Sequence, residues 1–283
     1  MKVAVSNGRT VLVVGDQVAD AERASGGTVP ADPAAMFMAW PALLRTAARL
    51  EREGPGDAAA LDYGALERPV PVPAQAFGIG LNYADHASES AMALPDCPLV
   101  FPKFSSSIAG PNEPVASRSA ALDWEAELVV VIGTDCYEVG APDALSVIAG
   151  YTVGQDLSDR VVQFEGGANP QFGLGKSAPG FGPVGPWVVS ADELGAASTL
   201  DIRCDVDGVT KQSSNTAHLI FDVPALVAYL SSRVRLQAGD LIFTGTPAGV
   251  GWGRDPKEAL QPGSRIDTTI SGIGTLTTMV AAR

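Results

Sequence analysis

Apolar and polar positions along this chain fall into short runs broken by turns, with few long helical stripes. Lys2–Val5 and Thr10–Val14 are β-rich runs on either side of Ser6-Asn7-Gly8-Arg9. Asn-Gly between such runs predicts a hairpin, because the tightest two-residue turn needs φ > 0 at both central positions. Asp32-Pro33 reads as a helix cap followed by a first turn. After Pro41, Leu43, Leu44, Ala47 and Leu50 share one face of a helix predicted from about Ala42 to Glu53, ending at Gly54-Pro55-Gly56. Arg68-Pro69-Val70-Pro71-Val72-Pro73 alternates proline with valine and should be extended and stiff. It divides a small N-terminal domain, residues 1–72, from the rest of the chain, residues 73–283.

Beyond that connector the pattern is mostly strand. Phe77–Gly80 is an apolar strand that breaks into a polar, helical turn carrying His86 and Glu89, and Leu128–Ile132 is apolar on both faces, the mark of a strand buried in a core. Leu200–Val206 and Gly208–Thr210 flank a second turn at Asp207-Gly208. Phe221–Arg233 predicts a helix with Asp222 as cap and Pro224 in its first turn. Gly239–Phe243 is a buried strand opening into a glycine-rich turn, and Ile266–Ile270 with Gly272–Val280 read as paired strands. With 31 glycines and 21 prolines the fold class is α+β, mainly β.

Composition narrows the function classes. The chain has 283 residues, 46% hydrophobic, which supports a large core. A net charge of −13 without any Lys/Arg block argues against a nucleic-acid partner. Cys97, Cys136 and Cys204 are scattered, so neither a disulfide framework nor a zinc site is indicated, and a reducing cytoplasm fits. Nowhere do about 18 consecutive apolar residues occur, so no membrane span is expected.

The candidate chemistry centres on Glu125 and Glu127, with Asp156 as a third carboxylate. In a strand the two glutamates point the same way with Cα atoms roughly 6.5–7 Å apart. Charges about 4 Å apart repel by about 4 kcal/mol at an effective dielectric of ~20 unless a cation sits between them. An oxygen-only donor set suits Mg²⁺, or else Mn²⁺ or Ca²⁺. The tripeptide alone also fits the wet entry of a strand. His86 and Glu89 are neighbours on a helix, either as a surface contact or as a pair that positions a water. Arg160 and Gln163 are one helical turn apart, and Lys176 stands between a glycine and a serine, where a lysine is ordinarily solvated. The amides of the Gly245–Gly251 loop could cradle a carboxylate, although the phosphate-loop pattern is missing.

Taken in order, Gly80-Leu81-Asn82-Tyr83 with Asp85-His86-Ala87 and Glu89, the Lys103/Ser106/Gly110-Pro111 loop, Glu125-x-Glu127-Leu128, Gly150-Tyr151-Thr152 with Asp156, Gly175-Lys176-Ser177, and Gly239-Asp240 with Thr244–Gly251 resemble the fumarylacetoacetate hydrolase family, in particular its shorter bacterial-type members. The resemblance covers about Gly78 to Val280. It implies a catalytic domain of strands rolled into a distorted sandwich, a homodimer, and Mg²⁺ or a similar ion held by Glu125, Glu127 and Asp156. Arg160, Gln163 and Lys176 match residues around the family's substrate. His86 with Glu89 matches its acid–base pair, and Thr246, after Gly245, matches the loop whose backbone meets the substrate's carboxylate end. The implied activity is hydrolysis of a carbon–carbon bond in a small anionic 2,4-dioxo acid. Hydration, decarboxylation or tautomerisation of a 2-oxo acid are the alternatives, followed by a noncatalytic metal-binding protein. Two departures, Val161 in place of an aspartate and Ala178-Pro179-Gly180 in place of a Phe-Asp-Thr-like segment, remove acidic groups expected near the pocket.

Overall fold

A computed structural model describes residues 1–71, 73–85, 94–116 and 119–281. The chain opens with strands β1 (Lys2–Ser6), β2 (Arg9–Val14) and β3 (Gln17–Asp20), then the helix Trp40–Glu53, β4 (Ala58–Ala60) and β5 (Leu66–Glu67). Asn7 and Gly8, at φ 51° and 68°, make the expected hairpin turn between β1 and β2. The helix starts two residues before the expected Ala42, because Pro41 sits in its first turn, where a proline's missing N–H leaves no bond unmade. Its buried face, including Leu43, Ala47 and Leu50, packs on Val3, Leu12 and Met36 as a local core.

There follow β6 (Ala76–Gly80), β7 (Leu99–Lys103), β8 (Ile108–Ala109), β9 (Leu122–Asp123), β10 (Ala126–Ile132), β11 (Ile148–Gln155), β12 (Ser158–Asp159) and β13 (Gly182–Ser190). The last strands are β14 (Asp201–Val206), β15 (Val209–Asn215), β16 (Leu241–Phe243), β17 (Arg265–Ile270) and β18 (Gly274–Met279). Among the described residues, one mixed sheet of 12 strands runs β4-β3-β2-β1-β13-β11-β10-β16-β6-β7, with β5 on β1 and β8 on β13. The first hairpin is part of this sheet, since β1 pairs antiparallel with β13 through Lys2↔Val189 and Val3↔Val188.

A four-stranded sheet, β15-β14-β17-β18, lies against β10, β11 and β13. Leu128, Val130 and Tyr151 meet Ile202, Ile266 and Leu276 between the two sheets. β10 is buried along its whole length, as its unbroken apolar run predicts, with Val129 and Val131 facing a second cluster that holds Phe243. The helix expected over Phe221–Arg233 spans Val223–Ser231, and Asp222 caps it by accepting from the Ala225 amide at 2.9 Å.

The close approach of β11 to β13 depends on Gly150, where an added Cβ would lie 2.1 Å from the Val189 carbonyl oxygen. Gly150→Ala must push the central strands apart. The expected loss is about 3 kcal/mol, as for other overpacked cores, read as a lowered urea midpoint.

Candidate active site and metal centre

Ala126 faces Gln155 in the β10–β11 ladder, and just beyond it the Asp156 amide donates to the Glu125 carbonyl at 2.9 Å. Glu125 and Asp156 therefore face each other at the open end of one antiparallel pair. Glu127 lies two residues into β10 on the Glu125 side. One carboxylate oxygen from each of the three, all buried, lies within 4.8 Å of the others. The expectation that both glutamates sit in one strand needs correction: β10 begins at Ala126, and Trp124-Glu125 is irregular. Two glutamine side chains hold it there. The Glu125 amide donates to Gln155 Oε1 at 2.8 Å and the Ala126 amide to Gln212 Oε1 at 2.9 Å. Gln155 is tied in turn to Thr268 Oγ1 at 2.7 Å, and Gln212 to Thr246 Oγ1 at 2.8 Å.

Three cations surround the carboxylates. Lys176 Nζ donates to Glu125 Oε2 at 2.6 Å, Asp156 Oδ2 at 2.8 Å and Ser158 Oγ at 2.8 Å. It is buried, contrary to the ordinary habit of a lysine flanked by glycine and serine. Gly175 permits this, because a Cβ there would lie 2.7 Å from the Gln163 Cβ and push the turn away. Lys103 Nζ donates to Asp156 Oδ1 at 2.6 Å and to the carbonyls of Lys176 and Phe181. Arg160, at the start of the helix Arg160–Phe164, donates from Nη2 to Glu125 Oε1 at 2.7 Å and from Nη1 to Gln163 Oε1 at 2.8 Å. Its Nε and Nη2 both reach Asp123 Oδ2, at 2.8 and 2.7 Å. Asp123 also accepts from the amides of Trp124, Gly251 and Trp252.

Four buried carboxylates, Asp123, Glu125, Glu127 and Asp156, thus meet three buried cations, leaving one negative charge over. It falls on Glu127. That side chain accepts only from the Gly245 amide, at 2.8 Å to Oε2, and makes no ion pair among the described residues. Burial first, and then the charges of Asp156 and Glu125, push its carboxyl well above the usual carboxylate range. Burial alone would lower Lys176 and Arg160, but for Lys176 the charges of Asp156 and Glu125, and for Arg160 those of Glu125 and Asp123, more than offset it. Both are shifted upward and stay charged. A carboxylate-only cluster short of positive charge is the donor set of a hard divalent ion, and Glu125, Glu127 and Asp156 are the residues that would hold one.

The cluster opens on a cavity of about 460 Å³, whose charged end is lined by Glu125, Arg160, Gln163, Lys176 and Thr246. Thr246 Oγ1 donates to the Ala126 carbonyl at 2.9 Å, and the neighbouring Gly245 amide is taken up by Glu127. His86 and Glu89 lie outside the described residues. Neither departure from the family pattern lines this cavity: the Val161 side chain is 60% exposed on the outer side of its helix turn, and Pro179 is exposed as well. Sequence reasoning missed the roles of Lys103, Asp123, Gln155 and Gln212. Only Asp123 carried a signal, being two residues before Glu125 and so on the same side of an extended chain.

Residues 75–281 match the family model described as fumarylacetoacetate (FAA) hydrolase C-terminal. A Burkholderia ambifaria protein provisionally named a hydrolase is 48% identical over 200 residues, 70% of each chain. Among solved structures, fumarylacetoacetate hydrolase from Exiguobacterium antarcticum superposes with a TM-score of 0.85 at 32% identity over 100% of both chains. Maleylpyruvate hydrolase from Sphingobium sp. SYK-6, solved in complex with manganese(II) and pyruvate, superposes at 0.80 with 28% identity over 100% of this chain and 99% of that one. All the carboxylates and cations of the cluster fall inside the matched span, and the chain belongs to the fumarylacetoacetate hydrolase family.

Proposed function

We propose that this protein hydrolyses a carbon–carbon bond in a 2,4-dioxo acid, with a divalent ion at Glu125, Glu127 and Asp156. The observation that carries this reading is the charge balance. Within the cluster, carboxylates outnumber cations by one, so a divalent ion turns the site into a net cation of one unit facing the cavity. That is the field an anionic 2-oxo acid requires. When bound, the ion supplies Lewis-acid charge at the 2-oxo-carboxylate end of the substrate. The relative solved with manganese and pyruvate supports both the ion class and the 2-oxo acid.

The remaining work falls to the chain. Gln163 presents its side-chain amide N–H at the charged end of the cavity, and the Lys176 ammonium, its N–H groups held by Glu125, Asp156 and Ser158, adds fixed positive charge there that favours an oxyanion, while Arg160 braces Glu125 and Gln163. His86, oriented by Glu89, takes a proton from water as it adds to the 4-oxo carbon. The bond between carbons 3 and 4 then breaks. Its electron pair passes to the 2-oxo acid half, which takes up a proton as pyruvate, and the other half leaves as a carboxylic acid.

The test is to incubate the protein with acetylpyruvate, benzoylpyruvate and oxaloacetate, with Mg²⁺ or with chelator, and follow products by NMR. Pyruvate and the matching acid should form from the acylpyruvates only when metal is present. The double variant His86→Ala, Glu89→Gln should stop that cleavage. Decarboxylation of oxaloacetate at full rate in the double variant, without acylpyruvate cleavage in the native chain, would replace hydrolysis by decarboxylation. Absence of turnover with all three would leave a binding protein.

A further inference from the structure

Beyond its charged end the cavity turns apolar. The rings of Phe101 and Phe172 stack with centroids 5.6 Å apart and 25° between planes, and those of Phe164 and Trp252 stack at 5.4 Å and 22°. All four line the cavity, with Leu99 and Val250 beside them. The rings come from four segments: β7, the short helix Phe172–Gly175, the helix Arg160–Phe164 and the turn Gly251–Gly253. Two stacked pairs from separate segments form an apolar slot.

The cations available to a ligand in that slot are already committed. The three Lys176 N–H groups go to Glu125, Asp156 and Ser158. Arg160 gives Nε and Nη2 to Asp123 and Glu125, and Nη1 to Gln163. No other Lys, Arg or His lines the cavity among the described residues. Lys257 Nζ lies 3.2 Å from the Trp252 ring centroid, but its side chain is exposed and forms no part of the cavity wall.

On the reading that the charged end takes the 2-oxo-carboxylate group, we infer that the far end of the substrate is a large apolar group, preferably aromatic, and not a second carboxylate. A phenyl tail replaces water against four aromatic walls and stacks on them. A carboxylate tail in the same place is dehydrated with no uncommitted Lys, Arg or His among the described lining residues to pair with it.

The experiment measures binding of three unreactive 2-oxo acids to the full-length protein in Mg²⁺ by calorimetry: 2-oxobutanoate, 2-oxo-4-phenylbutanoate and 2-oxoglutarate. Burial of one phenyl group gives an expected gain of about 30-fold for the phenyl compound over 2-oxobutanoate, with no gain for 2-oxoglutarate. kcat/KM for benzoylpyruvate over acetylpyruvate should move in the same direction. Phe172→Ala should shrink the phenyl-to-methyl binding ratio to within about threefold. Phe101→Leu, a milder change, should shrink it in part and keeps the test open should Phe172→Ala misfold. Tail preference without cleavage of any acylpyruvate sinks the proposed reaction but upholds the apolar tail. Cleavage with equal binding of all three compounds does the reverse. 2-Oxoglutarate binding as tightly as the phenyl compound, with the gain lost in Lys257→Met, overturns the inference in favour of a carboxylate held at the rim, and failure of all three to bind overturns it together with the reading of the charged end.

Discussion

Glu127→Gln is expected to abolish the thermal stabilisation that Mg²⁺ or Mn²⁺ gives the native chain. Turnover should fall at least about 100-fold, since even outer-shell changes at metal sites cost roughly 10–100-fold. In the native chain, a cation at a hundred times its Kd adds about 2.7 kcal/mol of stability, which is roughly 5–10 °C in Tm for a protein of this size. The amide replacement keeps the shape of the side chain and can still accept from Gly245. It removes the one carboxylate of the cluster that makes no ion pair among the described residues. Repulsion from Asp156 and Glu125 disappears, so the metal-free variant should melt at or above the native temperature. A stable fold with neither metal response nor turnover separates loss of the site from misfolding. An unchanged metal-dependent shift would remove the proposed centre.

Lys103→Met is expected to be the most damaging single change to stability, at about 3–5 kcal/mol, the range for removing one partner of a buried ion pair. The side chain is fully buried, and its ammonium serves Asp156 Oδ1 at 2.6 Å together with the carbonyls of Lys176 and Phe181. Methionine fills most of the space but leaves a carboxylate and two carbonyls without a donor. Burial lowers the Lys103 ammonium despite Asp156 beside it, so the pair is held by geometry and hydrogen bonding more than by a comfortable charge. The urea midpoint should drop with the m-value unchanged. Lys257→Met, at an exposed lysine, should stay within about 0.5 kcal/mol and serves as the control. Equal effects of the two would mean that the Lys103 contacts carry no net stability.

Much of the framework was legible because its signals are local. Asn7-Gly8 and Asp207-Gly208 announce hairpins through the positive φ they adopt, and Asp222 announces its helix through the amide it caps. The five apolar residues after Glu127 mark β10 as a covered strand. The three candidate metal carboxylates could be named because Glu125 and Glu127 stand two apart in a stretch read as extended and because, with Asp156, they fall in the order of the family's motifs. The rest depends on pairing between distant positions. The loop that carries Lys103 enters the family resemblance, but nothing in its sequence says that the lysine reaches Asp156 and Phe181, 53 and 78 positions away. Gln155 and Gln212 look like ordinary strand residues until the ladder is seen to stop beside them. The same applies to the aromatic slot, whose rings adjoin only after folding.

The pairing of β1 with β13 gives the opening hairpin a task of its own. On the stretch where Met1, Lys2 and Val3 lie alongside it, β13 would otherwise present bare backbone donors and acceptors to solvent, an edge on which any extended peptide could add itself. Loss of those first residues would expose a sticky template beside the catalytic layers, and self-association rather than impaired chemistry is the damage that would follow.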